Sequence, residues 1–296
     1  MNRIFILNPV SGKGRNLKYI GRINKIFKNT EDNIVIEQTQ KPNDVRRIIE
    51  KYIEKYGADN IICYVIGGDG TLSEGISIAI KKHIKFVPVP AGTGNDYVRS
   101  IYRYKSGRTI LKKSIECKRY KRAGVMQTNK SYALNVISCG FDAKVGENIK
   151  YFKKIPFITG SFAYHLSILY TLFFNKNYKF KIRIDDKVFK GKYTLVAIGK
   201  GKYYGGGVKI LPDAKVTDKK MHVCIARQTT VLEKLQLLPK LKKAKHAEID
   251  GVEFFECDSI SIVSTRKFPI SLDGEVYLDN KLKVTSIPRV LRIPII

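Results

Sequence analysis

The chain contains no tryptophan, and cysteines and acidic residues are both few. None of the five cysteines forms a CxxC pair, and three of them lie inside apolar runs such as 61–65. This usage favours buried free thiols in a reducing compartment over disulfides or a zinc site. The apolar run at the N-terminus is too short for a signal peptide and is typical of a strand.

The scarcity of acidic residues leaves a strong positive charge. There are 26 Asp and Glu against 55 Lys and Arg, which gives a formal net charge of +29. Such a surface attracts anions, whether nucleic acid, nucleotide phosphates or an acidic membrane face. The charge is spread along the chain, without an aromatic RNA-binding pattern or a zinc finger, so we expect no nucleic-acid partner.

Long uncharged runs are also scarce, and the main exception is 155–174. This segment has no Lys, Arg, Asp or Glu, and its length would just span a bilayer. A proline, two small breaks at Gly160 and Ser161, and three further serines and threonines dilute its hydrophobicity. The composition therefore favours a buried or interfacial helix over a membrane span.

The 296 residues, 44% of them hydrophobic, suit two domains. Continuous apolar strands alternate with helices in the first part. The patterns predict strands over 3–7, 34–36, 61–66 and 86–90, and helices over 15–27, 44–56, 72–82 and 95–102. This alternation indicates an α/β domain with a mainly parallel sheet that is covered on both faces.

From about residue 120, strand-like runs predominate. They lie at 132–137, 180–184, 193–198, 222–226, 259–263, 268–272 and 281–284, with helical stretches near 161–174 and 231–245. The pattern predicts a mainly antiparallel β domain. We therefore expect domains at 1–124 and 125–286, and an apolar end, 287–296, that packs back against the first domain.

Three polar loops rich in glycine follow predicted strands. In an open α/β sheet, ligands collect at the carboxyl ends of the strands. Glycine lets backbone approach phosphate oxygens, and N–H groups at the following helix starts point at an anion. The loops comprise Asn8, Pro9, Val10, Ser11, Gly12, Lys13 and Gly14; then Gly67, Gly68, Asp69, Gly70 and Thr71; then Ala91, Gly92, Thr93, Gly94, Asn95 and Asp96.

A single loop of this kind is often only a turn, but three in phase predict a nucleoside triphosphate site. Lys13 can neutralise phosphate charge, whereas Asp69 and Asp96 beside a polyphosphate call for Mg²⁺. The loops fit neither standard motif, because Gly12-Lys13 lacks the P-loop spacing and the other two do not complete GxGxxG.

The set NPVSGKG, GGDGTLSE and PAGTGND, in this order, resembles the diacylglycerol kinase catalytic-domain family of lipid kinases, which has sphingosine and ceramide kinases as relatives. The similarity continues through Asn135 and the GFDA segment at 140–143, the GGG and PDA segments at 205–214, and the DGE triplet at 273–275. It covers nearly the whole chain. The resemblance implies an NAD kinase- or phosphofructokinase-like first domain and a β-rich lipid-substrate domain.

The resemblance also implies roles for individual residues. Asp69 would position Mg²⁺ through water, and Asp273 or Glu275 would accept the proton of the attacking hydroxyl, with Glu275 favoured. The loop residues Lys13, Asn95 and Asp96 would border the nucleotide. The implied ATP site comprises Asn8, Pro9, Val10, Ser11, Gly12, Thr39, Gly67, Gly68, Asp69, Gly70, Thr71, Leu72, Ser73 and Thr93.

A second, structural Mg²⁺ is implied after the PDA segment. Asp218 would supply its side chain, and Lys215 and Lys220 would supply backbone carbonyls. One departure concerns Arg122, which stands where the family often has an acid, two residues before the glycine that matches Gly124. An arginine cannot join an aspartate–water–Mg²⁺ network.

The implied function is an ATP-dependent lipid kinase that acts most simply on diacylglycerol to give phosphatidic acid. It would work in the cytoplasm as a peripheral protein at an anionic membrane, and an exposed sheet edge would allow a homodimer. The helix near 161–174 would line an acyl cleft or serve as a core helix. Two alternatives stay open: an NAD kinase-like enzyme, suggested by GGDGT, and a non-catalytic basic membrane- or nucleic-acid-binding protein with a relic nucleotide site.

Overall fold

A computed structural model gives the fold of the chain. It describes residues 1–103, 105–152, 167, 170–171, 177–230, 233, 240–241 and 244–296. Most of the apolar segment 155–174 and most of the helix predicted near 231–245 lie outside these residues. Within the described part, no helix is long and apolar enough to cross a membrane.

The first half alternates strands and helices. Strands β1 (Asn2–Leu7), β2 (Asn33–Gln38), β3 (Ile61–Gly67) and β4 (Lys85–Pro90) pair in parallel in the order β4-β3-β1-β2. Every residue of β3 is buried, as its continuous apolar run requires between two helical layers. The helices are α1 (Lys18–Phe27), α2 (Asp44–Tyr56), α3 (Asp69–Lys81), α4 (Asp96–Tyr102) and α5 (Gly107–Ile115).

The second half is built from antiparallel strands and one described helix, α6 (Phe141–Phe152). The strands up to the last glycine-rich loop are β5 (Tyr120–Thr128), β6 (Tyr132–Ala133), β7 (Val136–Gly140), β8 (Tyr178–Ile184), β9 (Lys187–Gly199), β10 (Tyr203–Tyr204) and β11 (Val208–Lys209). Those that follow are β12 (Met221–Arg227), β13 (Val252–Cys257), β14 (Ser259–Leu272) and β15 (Glu275–Pro294).

Strand β15 joins the two halves. It pairs antiparallel with β14 and β5, and then lies parallel to β4 where Arg292 is opposite Lys85. Leu291 and Ile293, both fully buried, belong to the core of the first half. The C-terminal segment therefore returns to the first half, and hydrogen-bonded pairing runs through one sheet of 13 strands.

Several element bounds differ from the sequence patterns. The segment Ser11–Leu17 forms a 3-10 helix, so α1 begins at Lys18 rather than near residue 15. Helices α5 and α6 were not predicted. The two strands expected at 259–263 and 268–272 are one strand, β14, with a register shift between Val263 and Phe268. The strand expected at 132–137 divides into β6 and β7.

All five cysteines are free thiols. Four of them are buried: Cys63, Cys139, Cys224 and Cys257. Burial raises the pKa of the Cys63 and Cys257 thiols to about 12, which leaves them protonated and unreactive at neutral pH.

Candidate functional site

A cavity of about 850 Å³ lies between the two halves. Its wall at one end comes from the three glycine loops, through residues such as Gly12, Gly68 and Thr93. The turn between β14 and β15 contributes Asp273 and Glu275. The opposite end is formed by the second half alone. The predicted loop residues and the DGE turn are thus brought to one site.

The glycine loops are in backbone contact with one another. Gly12 has a left-handed φ of +62°, and a β-carbon there would stand 2.5 Å from the Ala91 carbonyl oxygen. At Gly92, a β-carbon would be 2.5 Å from the Cα of Gly68. No real β-carbon tolerates such a distance, so these positions admit only glycine without a backbone shift. The requirement comes from loop-to-loop packing.

Side chains of the loops fix this arrangement. The Asn8 amide donates to the Thr71 hydroxyl at 2.9 Å, which ties the loop after β1 to the first turn of α3. The Asn95 side chain accepts from the Gly92 N–H and donates to the Gly92 carbonyl, each at 2.8 Å. Because α3 begins at Asp69, its N-terminal N–H groups lie at the cavity and favour an anion there.

Asp69 borders the cavity and also has a structural role. Its two carboxylate oxygens accept the backbone N–H groups of Asp96 at 3.2 Å and Tyr97 at 3.0 Å, which caps α4. Carboxylate oxygens each have further lone pairs, so this capping leaves acceptor capacity for water. Gly94 lies between the carboxylates of Asp69 and Asp96, which are 3.1 and 3.4 Å from its β-carbon position.

Asp96 links the glycine loop after β4 to the second half. Its carboxylate pairs with Arg99 and accepts the Gly206 N–H at 2.8 Å. Burial raises the pKa of Asp96, and the neighbouring Asp69 charge acts in the same direction, while Gly206 and Arg99 oppose them. The glycine-rich segment at 205–207 is thereby held against α4.

The two acids of the DGE turn have different surroundings. The Asp273 carboxylate accepts three backbone N–H groups, from Leu134 at 2.6 Å, Asn135 at 2.9 Å and Val136 at 3.0 Å. Loss of solvent around the carboxylate outweighs these donors and raises the pKa of Asp273 to about 6. Asp273 also has a left-handed φ of +49°. Its first role is therefore to hold the turn.

Glu275 is exposed and lies on the cavity wall. Its Oε1 is 4.0 Å from the β-carbon position of Gly70, in the first turn of α3. This places a solvent-accessible carboxylate beside the loop that follows β3. Of the two acids in the turn, only Glu275 has a carboxylate that is not engaged by the backbone N–H groups of 134–136.

The far end of the cavity has an apolar wall that the sequence patterns did not identify. It includes Phe141 and Val145 of α6, Leu195 of β9, Val208 and Leu241. Phe141 and Val145 are four residues apart, as on one helix face, and this spacing after β7 was the available signal. The predicted acyl-lining helix near 161–174 falls mostly outside the described residues.

Other predicted site residues lie elsewhere. Leu72 is fully buried in the core of the first half. Thr39 follows β2 and donates its N–H to the Leu7 carbonyl at 2.9 Å, but it does not line the cavity. Val10 is 81% exposed beside Pro9. The Ser73 hydroxyl donates to the Asp273 carboxylate at 3.4 Å, so Ser73 supports the DGE turn. For Lys13, the structure describes the backbone only.

The implied structural Mg²⁺ does not fit the residues present. The Asp218 carboxylate accepts the Lys215 N–H at 2.9 Å and contacts His222 Nε2 at 2.8 Å. The Lys215 carbonyl accepts the Asp218 N–H, and the Lys220 carbonyl accepts the ammonium of Lys200. Burial lowers the pKa of Lys200 to about 8, which leaves it mainly protonated at neutral pH.

Arg122 stays out of the cavity. It is exposed on β5, opposite Arg292 of β15, and the buried face of the strand carries Ala123 instead. The departure from the family pattern therefore puts no positive charge on the cavity wall. The described residues contain no group of three His, Cys, Asp or Glu side chains spaced to hold a metal ion.

Comparison with known proteins identifies the class. Residues 2–138 match the model of the diacylglycerol kinase catalytic domain, and residues 135–295 match the YegS C-terminal NAD kinase beta sandwich-like domain. The chain therefore belongs to the diacylglycerol kinase catalytic-domain family of lipid kinases. The resemblance inferred from the motifs is confirmed.

Similar proteins carry the names of lipid kinases or diacylglycerol kinases. "Putative lipid kinase SAS0691" from Staphylococcus aureus strain MSSA476 is 24% identical over 93% of this chain and 90% of its own length. The crystal structure of a "putative diacylglycerol kinase" from Bacillus anthracis strain Sterne superimposes with a TM-score of 0.81 at 22% identity, covering 99% of this chain and 94% of that one. A further diacylglycerol kinase structure from the same strain gives a TM-score of 0.69 at 17% identity, with 99% and 96% covered. At these identities the structural matches show similarity of fold alone.

Proposed function

We propose that this chain transfers the γ-phosphoryl group of ATP to the hydroxyl of a membrane lipid, most simply diacylglycerol, and so forms phosphatidic acid. The observation that carries the proposal is the one cavity that joins three glycine loops to an apolar wall. The loops suit phosphates, and the apolar wall of Phe141, Val145 and Leu195 suits acyl chains.

At the nucleotide end, the chain's task is to hold and neutralise phosphate. Phosphoryl transfer depends on charge stabilisation and on an in-line acceptor more than on covalent chemistry by the protein. The N-terminal N–H groups of α3 and the backbone around Gly68 and Gly92 favour the anion. Mg²⁺ bound with the nucleotide would neutralise phosphate charge, and Asp69 is the carboxylate that would position it. A nucleotide-borne Mg²⁺ needs only one or two protein carboxylates, so this arrangement fits.

At the acceptor, Glu275 would take the proton of the attacking hydroxyl. It is the exposed acid of the DGE turn and borders the cavity next to Gly70. General-base catalysis of this kind contributes about 10²–10⁴-fold in rate. Asp273 would act as a positioning residue, because its three N–H partners fix the turn that carries Glu275.

In this proposal the protein works at a membrane surface on the cytoplasmic side. Its acceptor would lie in a lipid layer, and the net charge of +29 favours an anionic one. Each Lys or Arg near such a surface contributes about 1 kcal/mol, screened by salt. Sedimentation with vesicles should therefore show binding to phosphatidylglycerol-containing vesicles that weakens with salt. Equal binding to neutral vesicles would contradict this part of the proposal.

The activity itself is tested with purified protein, γ-labelled ATP and Mg²⁺. Separate reactions would contain vesicles with diacylglycerol, sphingosine or ceramide, and one would contain NAD. Labelled phosphatidic acid is the expected product. Labelled NADP with no labelled lipid would favour the NAD kinase-like alternative, and the absence of any product would favour a binding protein with a relic nucleotide site.

The role of Glu275 is tested by Glu275→Gln, which removes the base but keeps the shape. The turnover number should fall by about 10²–10⁴-fold with an unchanged melting temperature. Glu256→Gln is a matched control, because the Glu256 side chain is 64% exposed and lies outside the cavity wall. If both variants keep wild-type turnover, Glu275 is not the base.

A further inference from the structure

The ammonium group of a buried lysine contacts the loop between β11 and β12. Lys200 follows β9 and is fully buried. Its ammonium donates to the backbone carbonyls of Asp218 at 2.9 Å, Lys219 at 2.7 Å and Lys220 at 2.9 Å. Three consecutive carbonyls of one loop therefore converge on a single cation supplied by the chain itself.

The donor and acceptor numbers match. An ammonium group has three N–H donors and no acceptor, and each carbonyl takes one of them. The distances of 2.7–2.9 Å are those of charge-assisted hydrogen bonds. A Mg²⁺ ion on these three carbonyls would need oxygens at about 2.0–2.1 Å and would occupy the position of the Lys200 Nζ. Of the ligands that the resemblance implies, Lys200 takes the Lys220 carbonyl.

The Asp218 carboxylate, which would be the anionic ligand of a divalent ion, has one of its two oxygens engaged by other groups. Both contacts of the Asp218 carboxylate, the Lys215 N–H and His222, are made by a single oxygen, Oδ2. The carboxylate thus closes the turn at 215–218 and meets the side chain at 222. These hydrogen bonds and the Lys200 ammonium order the loop.

The surroundings leave room for the lysine and connect it to both halves. A β-carbon at Gly124 would be 3.2 Å from the Lys200 Cε and 3.3 Å from its Nζ, so glycine on β5 leaves space for the side chain. The Gly124 N–H donates to the Val216 carbonyl at 2.7 Å. The Ser286 hydroxyl of β15 donates to the Lys219 carbonyl. The loop is thereby attached to the two strands that pass between the halves.

We propose that the Lys200 ammonium replaces a structural divalent cation, so that this protein holds its 215–220 loop and its fold without a bound metal. The inference rests on the loop geometry and does not depend on which lipid, if any, is phosphorylated. It assigns Lys200 a structural role and requires no ligand beyond the chain.

The first test uses the wild-type protein without nucleotide, so that no metal is carried by ATP. Metal analysis of the purified chain should find no stoichiometric Mg²⁺ or Ca²⁺. Thermal unfolding should give the same midpoint in EDTA, in MgCl₂ and in CaCl₂, because a ligand that binds only the native state would raise it. One divalent ion per chain, or a midpoint that falls in EDTA, would overturn the proposal.

The second test replaces the cation. Lys200→Met keeps the length of the side chain but removes the ammonium donor from the carbonyls of Asp218, Lys219 and Lys220, of which Lys219 keeps the Ser286 hydroxyl, so the unfolding midpoint should fall clearly. Lys219→Met is the matched control, since the Lys219 side chain is exposed on the same loop and carries the same charge. Equal midpoints for the two variants would overturn the proposal. If Lys200→Met does not fold, the wild-type metal analysis still decides.

Discussion

At the scale of single residues, Asp273 gives a prediction about pH. Its pKa is raised from 3.8 to about 6 in the native chain, because loss of solvent outweighs three N–H donors. The native state therefore binds this proton more tightly than the unfolded state does. From this group alone, the free energy of unfolding rises as the pH falls from about 6 to 4, by at most about 1.4 kcal/mol per pH unit.

The variant Asp273→Asn lacks this proton, so its stability relative to the wild type should be lower at pH 5 than at pH 7. Urea unfolding at the two pH values measures the difference. Asp186→Asn serves as the control, because Asp186 is exposed in the turn between β8 and β9. If Asp273→Asn kept the pH dependence of the wild type, Asp273 would not be the group that causes it.

The same residues show which parts of the candidate site could be predicted from the sequence. It predicted that Asp273 and Glu275 belong to one site with the glycine loops, and both border the cavity. It favoured Glu275 as the proton acceptor on the resemblance alone and gave Asp273 no other role, because the N–H donors that occupy Asp273 come from 134–136, far away in the chain. Lys200 was missed for a similar reason. A lysine at the end of an apolar strand is usually solvated, and only the folded loop supplies its three carbonyls.

At the scale of elements, the close packing of the glycine loops leads to a prediction for Gly92→Ala. The new β-carbon would stand 2.5 Å from the Gly68 Cα, so the two loops must separate. If these loops hold the phosphates of ATP as proposed, their displacement should raise KM for ATP by on the order of tenfold or more. Steady-state kinetics at varied ATP would measure this.

Gly21→Ala is the matched control for that variant. Gly21 lies in α1, where a β-carbon meets nothing within 4 Å, and alanine is a better helix former than glycine. It should leave KM unchanged and keep or slightly raise the melting temperature. An unchanged KM for Gly92→Ala would show that the loops adjust without loss of nucleotide affinity.

Elements with a clear period were predictable, and elements defined by distant partners were not. The apolar runs of β1, β3 and β4 and the amphipathic pattern of α2 fixed those elements locally. Helix α3 begins at Asp69, three residues before the predicted start, because its first turn lies inside the glycine motif. Helix α5 had a usable signal in Ser106, which caps it by accepting the Thr109 N–H. The polar interval at 264–267 hid the continuity of β14, whose pairing with β15 resumes at Phe268 after a register shift.

At the scale of the whole molecule, the two halves share hydrogen bonds through β15. A chain of two weakly attached domains would unfold in two steps, whereas a shared strand couples them. Strand β15 pairs with β14 in the second half, and it places Leu291 and Ile293 in the core of the first. We therefore expect one cooperative transition in which damage to the end of β15 destabilises the entire chain.

Leu291→Ala tests this coupling. Leu291 is fully buried, so its truncation should lower the free energy of unfolding by about 2–5 kcal/mol. Leu278→Ala makes the same chemical change on the same strand, but Leu278 is 49% exposed and its loss should cost much less. Urea unfolding would be followed by tyrosine fluorescence and by far-UV circular dichroism. If the strand couples the halves, both signals shift together in Leu291→Ala, because neither half can keep its structure once β15 is released. A transition that splits in two, with the β-rich half unaffected, would show that the halves fold independently despite the shared sheet.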